Sequence, residues 1–448
     1  MKPKNVHKTI KRVMIGDGDE VVIDLQRSHG SYVVDAVSER EYLDFFSYFA
    51  SQPIGHNHPQ MHDPEFKETL TLVAMNKPSL SDFYTVQMAE FVATFERVAM
   101  PDAMKHLFLI SGGALAVENA LKTAFDWKFR RNLATFQGCT DTKWDYRVEG
   151  LGTQIIHFEE AFHGRSGYTL SLTNTAVPHK HRHFPKFNWP RVISPKLRFP
   201  VTDKVLAEVK HAEEIAIEQI ETAVRQYPGD IAALIIEPIQ GEGGDNHFRM
   251  EFLRELRRLA DEHEFLFAVD EVQSGMGLTG KMWAIEHSGI LPDIIAFGKK
   301  SQVCGIIGGP RIDEVGDNVF VEPSRLNSTW GGNLTDMVRS QRYLEIIEAE
   351  QLVDNAAEMG RHLLDGLQTL AASNDLISNV RGRGLMCAFD LPDGEARTAL
   401  HARLKKKGLL VLTCGGKSIR FRPFLDVKTE QIDEALNILQ DAALELRS

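Results

Sequence analysis

A chain of 448 residues is long enough for a large domain with a smaller companion, and so for a deeply buried site. Hydrophobic residues at 43% and charged residues at 25% exclude a disordered or membrane-embedded protein, so no membrane partner is expected. The net charge of -11 argues against nucleic acid as a partner and requires local cations for any anionic ligand.

Residues 1–12 are basic, but Asp17, Asp19 and Glu20 follow where a signal peptide needs an apolar stretch, and no apolar run approaches the roughly 20 residues of a membrane span. Cys139, Cys304, Cys387 and Cys414 are widely separated, which predicts neither a disulfide framework nor a zinc cluster and fits a reducing cytoplasm. His56, His58 and His62 lack the carboxylate context and helical spacing of a metal site, so no metal is expected.

The first strong periodic segment is 114–128, where Val117, Leu121, Ala124 and Phe125 recur at helical spacing and Glu118 precedes Lys122 by one turn. Ser111-Gly112-Gly113-Ala114 opens it. Backbone N–H groups at such a helix start suit a phosphate, although glycine turns before helices are also common. A strand over 154–158 leads to Phe162-His163-Gly164-Arg165, an aromatic plane beside a cation suited to a carboxylate. Singly, these read more readily as a core phenylalanine and a surface arginine.

A helix over 204–226 precedes the apolar run 231–236, and a helix carrying Phe252, Leu253, Leu256, Leu259 and Ala260 precedes a strand over 265–272. A helix around 282–287 then leads to a strand over 293–298. Continuous apolar strands alternating with helices predict an α/β domain with a mostly parallel sheet, whose active groups sit at the strands' carboxyl ends. From Gly331 one long helical region to about 373, strands over 378–391 and 409–425, and a helix from Thr429 predict a smaller α+β domain. The expected division is 1–75, packing with the small domain, then 76–334 and 335–448.

Asp270 and Glu271 end one strand and Lys299 ends the next, 29 residues on from Asp270 to Lys299. A lysine that forms a Schiff base with pyridoxal 5'-phosphate, and an aspartate that keeps the pyridine nitrogen protonated, use such a pair directly. A structural ion pair uses it equally well. Lys300 rivals Lys299, because adjacent strand residues point to opposite faces and only one meets the cofactor. The loop Asn327-Ser328-Thr329-Trp330-Gly331-Gly332-Asn333 offers a further hydroxyl before a helix.

Together, Asp270-Glu271-Val272-Gln273-Ser274-Gly275, Gly298-Lys299, Ser328 through Asn333 and Gly113-Ala114 resemble the class III aminotransferases, a pyridoxal-phosphate family of fold type I, the aspartate aminotransferase-like fold. The likeness runs from about Leu25 to the C-terminus. It implies that Lys299 bonds the cofactor covalently and Asp270 pairs with its ring nitrogen. It further implies that Phe162 stacks on the ring, Gln273 approaches the ring hydroxyl, and Gly113, Ala114 and Thr329 hold the phosphate. In this family the threonine reaches into the neighbouring subunit, which implies a homodimer with shared active sites. The segment Gly55-His56-Asn57-His58-Pro59 would form a loop near the cofactor.

The phrases FHGRSGYTLSLTNT, FPKFNWP, EPIQGEGGDNHF and RGRGLMCAFDL resemble the lysine ε-aminotransferase branch, with 4-aminobutyrate and ornithine aminotransferases as alternatives and a non-catalytic cofactor-binding protein as the alternative of another class. That branch implies L-lysine and 2-oxoglutarate as substrates. Arg165 would hold the carboxylate of the ω-amine donor, Arg420 the α-carboxylate of 2-oxoglutarate, and Glu242 would neutralise Arg420 while lysine is bound. Arg422 leaves the choice of arginine open. No Walker or dinucleotide motif occurs around residues 241–244.

Overall fold

The computed structural model describes residues 1–16, 18–76, 82–135 and 149–447; Asp17 and Cys139 lie outside them. Seven strands form the large sheet, in the spatial order His106–Ile110, Cys304–Gly308, Ile294–Phe297, Leu266–Asp270, Ile231–Ile236, Gln154–Phe158 and Arg191–Val192. Cys304–Gly308 runs antiparallel to both its neighbours, and the other pairs are parallel. All six residues of Ile231–Ile236 are buried, as a strand covered on both faces requires.

Side-chain alternation divides the core. Leu266, Ala268, Ile294 and Ala296 meet Val117, Leu121 and Ala124 of the helix Gly113–Thr135. Phe267, Val269, Ile295 and Phe297 meet the opposite layer, with Phe91 and Phe95 of the helix Val86–Ala99 and Leu253 and Leu256 of the helix Met250–Glu262. The helix Asp203–Gln226 begins where the Thr202 side chain accepts a hydrogen bond from the Val205 N–H, with Asp203 in its first turn and Arg225 in its last.

The chain beyond residue 331 departs from the sequence expectation. The single long helix is two, Leu334–Ala349 and Leu352–Ser373, interrupted where Gln351 takes a left-handed φ of 53°. Leu334, Met337 and Val338 of the first pack on the core of the large sheet, whereas Ile346 and Ile347 join the C-terminal core. The 409–425 segment is three short strands. Leu409–Leu410 pairs with Glu41–Asp44, while Leu412–Cys414 and Ser418–Phe421 complete a four-stranded antiparallel sheet with Ser378–Arg383 and Met386–Asp390.

The N-terminal segment is shared in the same way. Leu43, Phe45 and Ile54 belong to the C-terminal core, and Phe66 and Val73 of the helix Pro64–Ala74 to the other. Among the described residues no helix is long and apolar enough to cross a membrane.

Candidate active site

The strand predicted over 265–272 stops at Asp270, and that end point separates the two acids. Asp270 keeps the parity of Leu266 and Ala268, so it emerges on the side of the helix Gly113–Thr135. Glu271 emerges on the other. There its carboxylate accepts hydrogen bonds from Ser274 Oγ at 2.5 Å and the Ile285 N–H at 2.7 Å, anchoring the one-turn helix Ala284–Ser288 found where a helix over 282–287 was expected. Burial pushes the Glu271 carboxyl up to about 7.

Asp270 Oδ2 lies 2.8 Å from His163 Nδ1, and Asp270 Oδ1 accepts from the Val272 N–H at 3.0 Å. Burial by itself would push the His163 imidazole down, but the hydrogen bond and charge of Asp270, aided by Glu237, turn the net shift upward. Glu237, raised to about 7 by burial, accepts from the Phe162 and Gly241 N–H groups at 2.9 and 3.0 Å. It thus joins the loop that carries Phe162 to the loop that carries Glu242. Sequence reasoning assigned no role to His163 or Glu237; the signal was their place within the phrases FHGR and EPIQGEGG.

Lys299 and Lys300 are not strand residues. They begin the short turn Lys299–Ser301, and Lys299 has a left-handed φ of 54°. Lys300 Nζ is buried and donates to the Ala50 carbonyl at 3.0 Å. Lys299 faces the other way: burial and the charge of Arg420 lower its pKa, and Asp270 opposes them. The Cys304 thiol lies between the backbones of Lys299 and Gly112.

Gly112 has a φ of 109° with open space where a side chain would project, and Gly113 begins the helix Gly113–Thr135. A Cβ on Gly113 would stand 3.0 Å from Val272 Cγ1, the same methyl that faces Gly298. The helix start, the Asp270 strand end and the lysine turn therefore converge, with Ala114 next on the helix. Phe162 is part-buried, and Arg165 is exposed with its guanidinium 6.0 Å from the Phe162 ring centroid. Thr329 is exposed, and its neighbour Trp330 accepts from the Ser111 N–H at 3.1 Å.

Arg420 comes from the C-terminal sheet, on the face away from Ile419 and Phe421. Its Nη1 donates to Gln273 Oε1 at 2.7 Å and its Nη2 lies 3.4 Å from Glu242 Oε2. Arg422 makes its close pair with Asp245, at 2.6 Å with neither side chain exposed, and reaches Gln273 Oε1 only at 3.5 Å. Arg381 also holds that loop, donating to the Gly244 and Asp245 carbonyls. The Gly55 to Pro59 segment sits against the C-terminal part, with His56 at 3.3 Å from Asp44, the Gly55 N–H on Asp426 and His58 at 3.4 Å from Glu350. Among the described residues no cluster of His, Cys, Asp or Glu could hold a metal ion.

A part-buried amine of lowered pKa, a carboxylate anchored by an imidazole, and a glycine-opened helix start fit a cofactor with an aldehyde, a basic ring nitrogen and a phosphate. Residues 14–443 match the family model Aminotransferase class-III. The chain belongs to the class-III aminotransferases.

Its sequence is 50% identical over 443 residues to the L-lysine-epsilon aminotransferase of Mycobacterium bovis, covering 98% of this chain and 95% of that protein. Identity to the L-lysine-epsilon aminotransferase of Streptomyces clavuligerus is 48%, over 97% of this chain and 93% of the other. The solved structure of the lysine aminotransferase from M. tuberculosis in the internal aldimine form superposes with a TM-score of 0.94 at 49% identity, covering all of both chains. The fold is therefore fold-type I, and the chain is a pyridoxal 5'-phosphate-dependent aminotransferase acting on small molecules.

Proposed function

We propose that this aminotransferase moves the ε-amine of L-lysine to 2-oxoglutarate, releasing 2-aminoadipate 6-semialdehyde, which cyclises to piperideine-6-carboxylate, and L-glutamate. The observation that carries the proposal is the Glu242–Arg420 pair beside Lys299. An ω-amine donor brings no carboxylate near the reacting carbon, so a cation there needs a protein counter-charge; a 2-oxo acid does bring one. The near 50% identity to lysine-epsilon aminotransferases along the whole chain supports lysine as the donor.

Lys299 is the covalent anchor, and Asp270, positioned by His163, would hold the protonated ring nitrogen. Gly113 and Ala114 would hold the phosphate through helix-start N–H groups, with Thr329 supplied by a second chain. Phe162 would cover the ring, and Gln273 would serve its hydroxyl while steadying Arg420. Pyridoxal phosphate, when bound, supplies a carbonyl that exchanges amines and a ring that accepts an electron pair. Lys299 Nζ then takes the proton from the substrate carbon that bears the transferred amine; its lowered pKa favours the neutral amine that a base requires. Arg165 receives the donor's distant carboxylate, and Arg420 the acceptor's near one, once Glu242 withdraws.

The reading includes a homodimer, supported by exposed Phe83, Tyr84, Val86 and Trp330 and by the outward position of Thr329. It includes a cytoplasmic setting, supported by the free buried thiols of Cys304, Cys387 and Cys414 among the described residues. It divides the chain into 1–75, 76–334 and 335–448, supported by the separate C-terminal core, which Leu43, Phe45 and Ile54 join, while Phe66, Val73, Met337 and Val338 cross the boundaries to the core of the large sheet.

Lysine, ornithine and 4-aminobutyrate should be competed in one glutamate-release assay, where lysine should dominate; preference for either rival refutes the donor. Glu242→Ala should slow the lysine half-reaction at least about tenfold more than the 2-oxoglutarate half-reaction, the cost of taking the nearer carboxylate from a buried cation that keeps only Asp245 at 3.8 Å. Equal slowing refutes the pairing.

A further inference from the structure

Glu242 faces two cations. Its Oε2 lies 3.4 Å from Arg420 Nη2, and its Oε1 lies 3.3 Å from Lys180 Nζ. Lys180 ends the short turn Pro178–Lys180, in the connection between the helix Gly167–Leu172 and the strand Arg191–Val192. The surroundings of the two cations differ. Arg420 is buried and keeps Gln273 at 2.7 Å and Asp245 at 3.8 Å even without Glu242. The Lys180 side chain is 32% exposed, and among the described residues its ammonium has Glu242 alone as a partner.

We propose that Lys180 is a positioning residue that receives Glu242 when this carboxylate leaves Arg420, and so frees Arg420 for the near carboxylate of the dicarboxylate acceptor. The inference rests on the Glu242–Arg420 reading above and adds the destination that reading lacks. A carboxylate leaving a buried arginine without a second cation would lose its counter-charge in partly desolvated surroundings. Here one oxygen already belongs to each cation, so a side-chain rotation transfers the pairing without an unpaired state. Because Lys180 reaches solvent, its ammonium follows the carboxylate outward at little desolvation cost.

The test uses the cofactor-loaded full chain, with K180M and K180R made in both wild-type and E242A backgrounds. K180M should raise the KM for 2-oxoglutarate, and the Kd for the unreactive dicarboxylate glutarate measured by calorimetry, roughly fivefold, the worth of one part-exposed ion pair. The KM for lysine should rise less, kcat should change little, and K180R should restore the acceptor values. In the E242A background K180M should add nothing, because Lys180 acts through Glu242.

Parallel changes for both substrates, no change for either, or failure of K180R to rescue would overturn the inference. So would a full K180M effect persisting without Glu242, which marks direct contact with the substrate. If E242A alone slows both half-reactions equally, the underlying reading fails and this one with it. If E242A is asymmetric and K180M inert, only the role of Lys180 falls.

Discussion

Two acids adjacent in sequence have opposite fates at the end of the Leu266–Asp270 strand. Asp270 is turned toward His163 and Lys299, while Glu271 is sealed against Ser274 and Ile285. Burial raises Glu271 to about 7, so the folded chain holds a proton that the unfolded chain has released. The sign follows: its contribution to stability is complete below the ordinary glutamate value and is lost as pH rises through about 7. Glu271→Gln, which mimics the neutral acid, should therefore melt close to wild type near about pH 4 and several degrees above it near about pH 8. Melting curves that stay parallel across that range would refute the assignment. The pair was visible in the sequence as two charges at a strand end. Which one served a site depended on where the strand stopped, a matter of one residue in a period of two.

At the scale of elements, the Lys299–Ser301 turn does what an extended strand cannot. A strand alternates its side chains strictly, but the left-handed φ at Lys299 aims Lys299 along the sheet's end and sends Lys300 back to the Ala50 carbonyl. Lys299→Ala should abolish the visible absorbance of lysine-bound cofactor and cut turnover by about a thousandfold or more. Lys300→Ala should keep that absorbance and lower the melting temperature by leaving the Ala50 carbonyl unpaired. The reverse pattern would exchange their roles. The helix break at Gln351 was likewise illegible. Its flanks are both good helix, and the turn satisfies packing on two cores, which no local periodicity encodes.

At the scale of the molecule, the site is assembled from parts with independent packing. Asp270, Lys299 and Gly113 come from the large sheet and its helix, Arg420 from the C-terminal sheet, and residues 45–53 lie between them, with the Phe45 carbonyl accepting from the Arg422 N–H at 2.9 Å and Gln302 Nε2 donating to the Ser51 carbonyl at 2.6 Å. Thr329 is exposed, as is Arg165. Co-expressing K299A and T329A chains therefore tests the shared-site dimer. A mixed dimer rebuilds one intact site if threonine crosses the interface, so activity should recover to about a quarter or more of wild type for random mixing. No recovery in isolated mixed dimers would return Thr329 to its own chain's site.

The sequence by itself determined the α/β class, the lysine and aspartate at neighbouring strand ends and the glycine-opened helix, because periodicity and fixed motifs are local properties of a chain. It also supplied Glu242 and Arg420 as a resemblance. Tertiary structure alone decided that Glu242 is divided between Arg420 and Lys180, that Arg422 is consumed by Asp245, and that His163 stands behind Asp270. These pairs join residues 62 to 178 positions apart, along with the two-residue-wide parity choices at strand ends. Such partners are chosen by how sheets stack and where turns reverse the chain, and one strand's sequence contains neither.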